Sequence, residues 1–340
     1  MQHDPPPKDD ATSTAPTVRG LLFDANGEDR PVADPRTLDL GSLRNDELAW
    51  IDIVSDGSEA TEALMHEVGL EPDLVAPLFD MHADALVMRK GWYAVRAIAP
   101  SWVEHEAKVH GMHWLLVVGP NVVFTAHRDP IRFLDAVVAQ HDPASHIGDL
   151  DADTFAIALL DRMLTAYYAA LDAFEARVDH MEVAMLQGHV HDGFARELGG
   201  LRRTVARFRR LLGSHRDLFD ALRRADFRPE QDQLVQKRFR AVSDRYERTM
   251  DAVENARNLV VGSFELLDTR LSQRTNETMR LLTFVTVLLG TLAVVAGVLG
   301  MNFKASLFDS GTRGFWLAVG AMVAALVFAM ALARWRGWWK

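Results

Sequence analysis

The side chains of this chain that could do chemistry fall at two kinds of place. One is Asn302, which follows Gly300 and Met301 where an uncharged apolar run beginning at Leu281 stops. A carboxamide oxygen accepts hydrogen bonds without carrying charge. Repeated about a symmetry axis at the mouth of a pore, such oxygens would meet the hydration water of a cation. A single copy of the same amide simply caps a helix. The other place is a set of histidines. In EHEAKVHGMH, His105 and His110 are five positions apart, whereas a zinc-binding HExxH sets its histidines four apart on one helical face. They read as surface residues where one strand turns into another. His189 and His191 stand beside Asp192 in a polar turn between helices. There is no phosphate-cradling glycine loop and no nucleophile elbow, so the chain does not read as an enzyme.

The elements that would position Asn302 are two uncharged segments, Leu281 to Gly300 and Phe315 to Ala333, separated by a short loop. Each is long enough to cross a hydrocarbon core of about 30 Å as a helix. Arg270, Arg274 and Arg280 precede the first, and Arg334, Arg336 and Lys340 follow the second. The loop between them carries Lys304, Arg313 and Asp309. This bias places both termini in the cytoplasm and the Asn302 loop outside. Trp316, Trp335, Trp338 and Trp339 fit interfacial belts. The proline-rich start, MQHDPPPKDDATSTAPT, lacks an apolar core and reads as a disordered tail rather than a signal peptide. A net charge of -10 argues against a nucleic-acid partner.

The expected organisation is a tail over 1–16, an α/β domain over 17–148, helices over 149–280, a first span over 281–300, a loop over 301–314, a second span over 315–333 and a basic tail over 334–340. VRGLLFD, ELAWIDIV, WYAVRAIAP, HWLLVVG and NVVFTAHR are strand-like runs, with SEATEALMHEVG and LVAPLFDMHADAL helical between them. From Asp151 a 3.6-residue period takes over, and a second helix is expected over 194–226 after QGHVHDG. Its Arg202, Arg203, Arg207, Arg209 and Arg210 are expected to pair with the acidic helix before it. No proline follows Pro229, and helical periodicity runs straight into the first span, a helix of about 110 Å if unbroken to Asn302. Gly290, Ala293, Gly297 and Gly300 share one side of that span, which allows close helix approach in lipid, in a plain dimer or around a pore. Thr283, Thr286 and Thr291 are its few polar groups, so a bore lined by it would be largely apolar and suited to gating by dewetting.

Gly300-Met301-Asn302 closing an apolar span, preceded by RTNETM at 274–279, resembles the CorA family of divalent-cation transporters. LAWIDI, NVVFTAHRDP, ALLDRML…FEARVDHMEVAML and ELGGLRRTVARFRRLL fall in the family's order, so the likeness covers residues 45 to 335. The resemblance implies an α+β membrane protein, a funnel-shaped homopentamer. In it a cytoplasmic α/β domain leads to a long helical stalk, continuous with the first of two transmembrane helices, and the second helix forms an outer ring. It implies that Gly300, Met301 and Asn302 form the selectivity filter, that Met279 and Leu282 form a hydrophobic constriction, and that Asn276 forms a polar ring below them. Thr286, Gly290, Ala293 and Gly297 would line the remaining bore. Arg334, Arg336 and Lys340 would ring the cytoplasmic mouth, or serve only as positive-inside anchors. Regulatory Mg2+ would be held between protomers by Asp80 and Asp84 of one and Glu265 and Asp268 of the next.

The implied function is movement of Mg2+, with Co2+ or Ni2+ as further ions, across the cytoplasmic inner membrane. It is driven by membrane potential and requires no cofactor. The partners are other copies of the chain, divalent ions and the bilayer. The related ZntB branch, which transports zinc, is the alternative, and a membrane-anchored coiled-coil scaffold is a more distant one; retention of Met301 favours magnesium. Several positions depart from the family pattern. Thr291 replaces a proline and Leu299 an aromatic residue, KASLFDSGTRG lacks a Met-Pro-Glu element, and Ala76-Pro77 stands where an acidic pair is common.

Overall fold

The computed structural model describes residues 17–26, 28–54, 63, 65–79, 84–139, 151–189, 191, 193–224, 226–228, 231–301 and 311–336. The chain divides into two compact units, Met1–Ser263 and Phe264–Lys340.

In the first unit the alternating apolar runs become strands. These are β1 (Thr17–Asp24), β2 (Arg30–Val32), β3 (Glu47–Val54), β4 (Leu86–Arg89), β5 (Trp92–Val103), β6 (Lys108–Gly119) and β7 (Val122–His127). They form one sheet in the order β2-β1-β3-β7-β6-β5-β4, antiparallel throughout except for the parallel β3–β7 pair. The five strand-like runs are all strands, whereas β2 and β4 are too short to stand out by pattern. β5 and β6 meet through a 3-10 turn at Glu104–Glu106, closed by Ala107 in the left-handed region (φ 49°). His105 therefore lies in a turn and His110 on a strand, and no helix brings them together.

Both faces of the sheet are covered, which is why its strands carry apolar residues on both sides. On one face Ala49, Ile51, Ile53, Leu115, Val117 and Phe124 pack with Met65, Leu70 and with Leu74 and Val75 of helix α1 (Pro72–Phe79). Half of SEATEALMHEVG, expected as a helix, lies outside the described residues; the described part is helical over 65–67. On the other face lie helices α2 (Arg132–Ala139) and α3 (Ala152–Leu186). Phe155 of α3 sits against Phe23 and Trp50, and Phe133 of α2 against Trp114. Asp151 caps α3 by accepting from the Thr154 amide at 2.6 Å.

The single helix expected over 194–226 is two, α4 (Phe194–Gly213) and α5 (Arg216–Arg223). The break falls at Ser214–His215. There the buried imidazole receives the Ile98 amide at Nε2 (2.8 Å) while its Nδ1 lies 3.1 Å from the Leu212 carbonyl. Among the described residues no ion pair joins Arg202, Arg203, Arg207, Arg209 or Arg210 to α3; the pair that links these helices runs the other way, from Arg177 of α3 to Glu197 of α4 at 3.6 Å. Helix α6 (Gln233–Leu299) is one unbroken element. Within the first unit its buried stripe, Val235, Phe239, Val242, Tyr246, Val253, Ala256 and Val260, keeps the three-and-four spacing of a helical face. Tyr246 stacks on Phe219 of α5 at 4.5 Å, and Arg245 reaches both carboxylate oxygens of Asp161 at 2.7 Å.

The second unit contains the last part of α6 and helix α7 (Gly311–Trp335). Both helices are long and apolar enough to cross a membrane, and none of their apolar windows is buried within the protomer.

Candidate functional site

The apolar end of α6 has two faces. Its partly covered residues, Phe284, Leu288, Leu292 and Leu299, recur at spacings of four and seven. On α7 the corresponding residues include Ala318, Met322, Leu326, Ala329 and Ala333. Two such stripes are what a pair of helices returning on each other buries first.

At about 100° per residue, Asn276, Met279, Leu282, Thr286, Gly290, Ala293, Gly297 and Gly300 fall within an arc of about 120°, on the side of α6 turned away from α7. All eight are exposed in the protomer; Met279 and Leu282 are 58% and 61% accessible. A side chain on Gly290 or Gly297 would have nothing within 4 Å, and one on Gly300 would make only ordinary contact with the Ala296 carbonyl at 3.4 Å. The protomer itself therefore does not require small residues here. Their smallness leaves α6 free to approach another helix.

Polarity along this arc is sparse. The Thr286 hydroxyl donates to the Leu282 carbonyl at 2.8 Å, and Thr283 and Thr291 donate back one turn in the same way, so the helix itself takes up their protons. The Gly300 amide donates to Ala296 and the Met301 amide to Val298, which closes the last turn. Met301 is half exposed. Asn302 lies outside the described residues, as do Asp80 and Lys340. Asp84, Glu265 and Asp268 are not buried, and among the described residues no group of three or more His, Asp or Glu is placed to hold a metal ion. Arg334 lies in the last turn of α7 and Arg336 follows the helix, both exposed. His191 binds Glu197 of α4 at 3.1 Å.

The first unit holds a polar centre that the residue pattern alone did not single out. Asp52, on β3, is 1% exposed. It accepts from Arg19 Nε at 2.8 Å and from the Thr125 hydroxyl, and His127 Nε2 lies 3.3 Å away. His127 Nδ1 is 2.8 Å from the Asp129 carbonyl, so both ring nitrogens face acceptors, an arrangement that favours the protonated ring. Burial opposes charge on both groups. The His127 and Thr125 hydrogen bonds and the Arg19 charge nevertheless hold Asp52 below the ordinary carboxylate range, and Asp52 in turn raises His127. The signal lay in the sequence as a charged residue inside the apolar run LAWIDIV.

A second such centre joins Asp153, at the start of α3, to Arg228 at 3.2 Å and to Gln231, with the Arg228 guanidinium 5.6 Å from the Tyr93 ring. Both centres tie helices and connecting segments to the sheet, and neither includes a residue of the α6 arc. They are structural.

A two-span membrane protein with a large α/β unit and one long helix is the class that fold and site define. A family model described as CorA-like Mg2+ transporter protein matches residues 45–334, and the chain belongs to that family, whose members are transporters and not enzymes. It is 23% identical over 321 residues, 92% of this chain and 98% of the relative, to the cobalt/magnesium transport protein CorA of Methanocaldococcus jannaschii. It is 28% identical to the CorA protein of Thermotoga maritima over 54% of this chain and 49% of that one. The complete structure of the Methanocaldococcus jannaschii CorA magnesium transporter superposes with a TM-score of 0.71 at 20% identity, covering 95% of this chain and 99% of that one. The full-length CmaX structure gives 0.66 at 19%, covering 96% and 99%. These structural likenesses establish the fold.

Proposed function

We propose that this chain forms a homopentameric channel in which five copies of α6 line a pore for hydrated Mg2+. Gly300, Met301 and Asn302 form the outer filter. The observation that carries the reading is the α6 arc from Asn276 to Gly300. It is exposed, nearly apolar and free of α7, and side chains would fit its glycines within the protomer. Five such arcs facing an axis would cover one another and leave α7 as an outer ring.

Mg2+ demands octahedral oxygen coordination and dehydrates reluctantly. A ring of Asn302 amide oxygens accepts hydrogen bonds from the water that the ion keeps. Below it the ion passes an apolar bore narrowed at Leu282 and Met279, where wetting sets the open state, and then the polar ring of Asn276. With both termini cytoplasmic, a membrane potential of about 100 mV contributes about 4.6 kcal/mol per divalent ion moved inward. Arg334, Arg336 and Lys340 lie toward the cytoplasmic end. Asp80 and Asp84 of one protomer, with Glu265 and Asp268 of the next, would supply the carboxylates of a regulatory Mg2+ site. Co2+ and Ni2+, which also travel hydrated, would share this path.

The test is ion flux into liposomes carrying the purified protein, with Mg2+ and Zn2+ compared in the presence and absence of a pH gradient. Mg2+ flux indifferent to the proton gradient is expected. Zn2+ flux that requires the gradient would replace this reading with a proton-coupled zinc transporter.

A further inference from the structure

The apolar ends of α6 and α7 enclose a cleft of about 500 Å³. On α6 it is lined by Arg280, Thr283, Phe284 and Val287, and on α7 by Ala329, Leu332, Ala333 and Arg336. Each set has the spacing i, i+3, i+4, i+7, one continuous stripe of a helix. The chain leaves the first stripe toward the loop and returns through the second from it, so Arg280 and Arg336 stand at the same end of the cleft. Everything between them is apolar except the Thr283 hydroxyl, whose proton is taken by the Met279 carbonyl at 2.8 Å. No acidic side chain lines the cleft, and among the described residues neither arginine has an ion pair. A groove that is hydrocarbon along its length and doubly cationic at one end matches one occupant in shape and charge.

We propose that this cleft is a binding site for an anionic phospholipid, with the phosphate held between Arg280 and Arg336 and an acyl chain lying along Phe284, Val287, Ala329 and Leu332. Arginine suits the head group because its planar donors pair with phosphate oxygens two at a time. Paired basic residues between spanning helices recognise anionic lipid in this way. The bound lipid clamps α6 to α7 along the flank of α6 that borders the arc, since Thr283 lies between Gly290 and Asn276 around the helix. The proposal rests on membrane insertion of the two helices and is independent of the ion carried and of orientation.

The experiment uses the purified full-length protein in a neutral detergent, titrated with palmitoyl-oleoyl phosphatidylglycerol or phosphatidylcholine and followed by native mass spectrometry. At about fivefold per interfacial arginine, the first lipid per protomer should bind about thirtyfold tighter as phosphatidylglycerol. Arg280→Gln and Arg336→Gln should each remove about fivefold of that preference, and the double variant nearly all of it, with the assembled mass unchanged. Ala329→Phe, which fills the cleft without altering charge, should abolish the site for both lipids. Equal binding of the two lipids by the unsubstituted protein, or a preference that survives the double variant, would overturn the proposal. The chain has no cysteine, so a benzophenone maleimide attached to the Leu332→Cys variant reports the occupant directly. Lipid adducts support the site, and adducts to a neighbouring protomer assign the cleft to a second copy of the chain and refute it.

Discussion

Acid should loosen the first unit through His215, by an amount that the structure allows to be worked out. The imidazole is fully enclosed where α4 gives way to α5, and burial depresses its pKa to about 4, with the Leu212 carbonyl only partly opposing. In the unfolded chain the value is about 6.5. A histidine lowered on folding binds fewer protons native than unfolded, so stability is complete above pH 6.5 and falls as pH drops from there towards 4. At pH 5 the loss from this group is about 2 kcal/mol, approaching about 3 kcal/mol below pH 4. His215→Gln removes the titration and, at pH 7.5, costs about 1–3 kcal/mol if the Ile98 amide is left without an acceptor. The assay is urea unfolding of the full chain in detergent, followed through the buried Trp50 and Trp114, at pH 7.5 and pH 5. The deficit of the variant relative to the unsubstituted protein should shrink by about 2 kcal/mol at pH 5. A deficit equal at both pH values would show that the ring is not held neutral, and the reasoning would fail.

Asp52→Asn should cost on the order of 3 kcal/mol in thermal unfolding, because His127 and Arg19 lose the carboxylate that compensates them; a change under about 0.5 kcal/mol would contradict the ion-pair account. His127 itself is raised on folding, so its contribution is present below about pH 6.5 and is lost as pH rises through the native value. That tilt is opposite to the one from His215, and His127→Gln should remove it from the pH–stability curve. Gly297→Leu has room in the protomer and should leave helix content intact while particle mass falls below that of a pentamer; an unchanged mass would place the glycine face elsewhere. Leu282→Ser should raise Mg2+ flux about tenfold, as removing about 1.4 kcal/mol of dewetting barrier would, and unaltered flux would argue against a constriction there.

Most of the architecture was legible because its signals are local. Alternation in ELAWIDIV and NVVFTAHR gave β3 and β7, and the absence of proline after Pro229 gave the continuity of α6. The break between α4 and α5 was not legible, since it depends on His215 reaching the Ile98 amide, 117 positions earlier in the chain. The arginines of α4 misled for a similar reason. Their number suggested pairing with α3, while the pair that forms needs Arg177 and Glu197 to face each other. Gly290, Ala293, Gly297 and Gly300 could be read from spacing as one side of α6, and Asn276, Met279 and Leu282 came only with the family resemblance. The separation of the arc from α7 was not legible, because that depends on which stripe of each apolar helix packs. Arg280 and Arg336 were visible only as charges flanking two spans; their convergence on one cleft required the returning helix.

Central to the account is a ring of Asn302 amides that meets the cation while it keeps its water. The most direct test is Mg2+ uptake into liposomes by the Asn302→Ala protein, beside a mass measurement of its assembly. Uptake should fall to the level of protein-free liposomes while the assembly stays whole; uptake equal to that of the unsubstituted protein would contradict the role given to the amide.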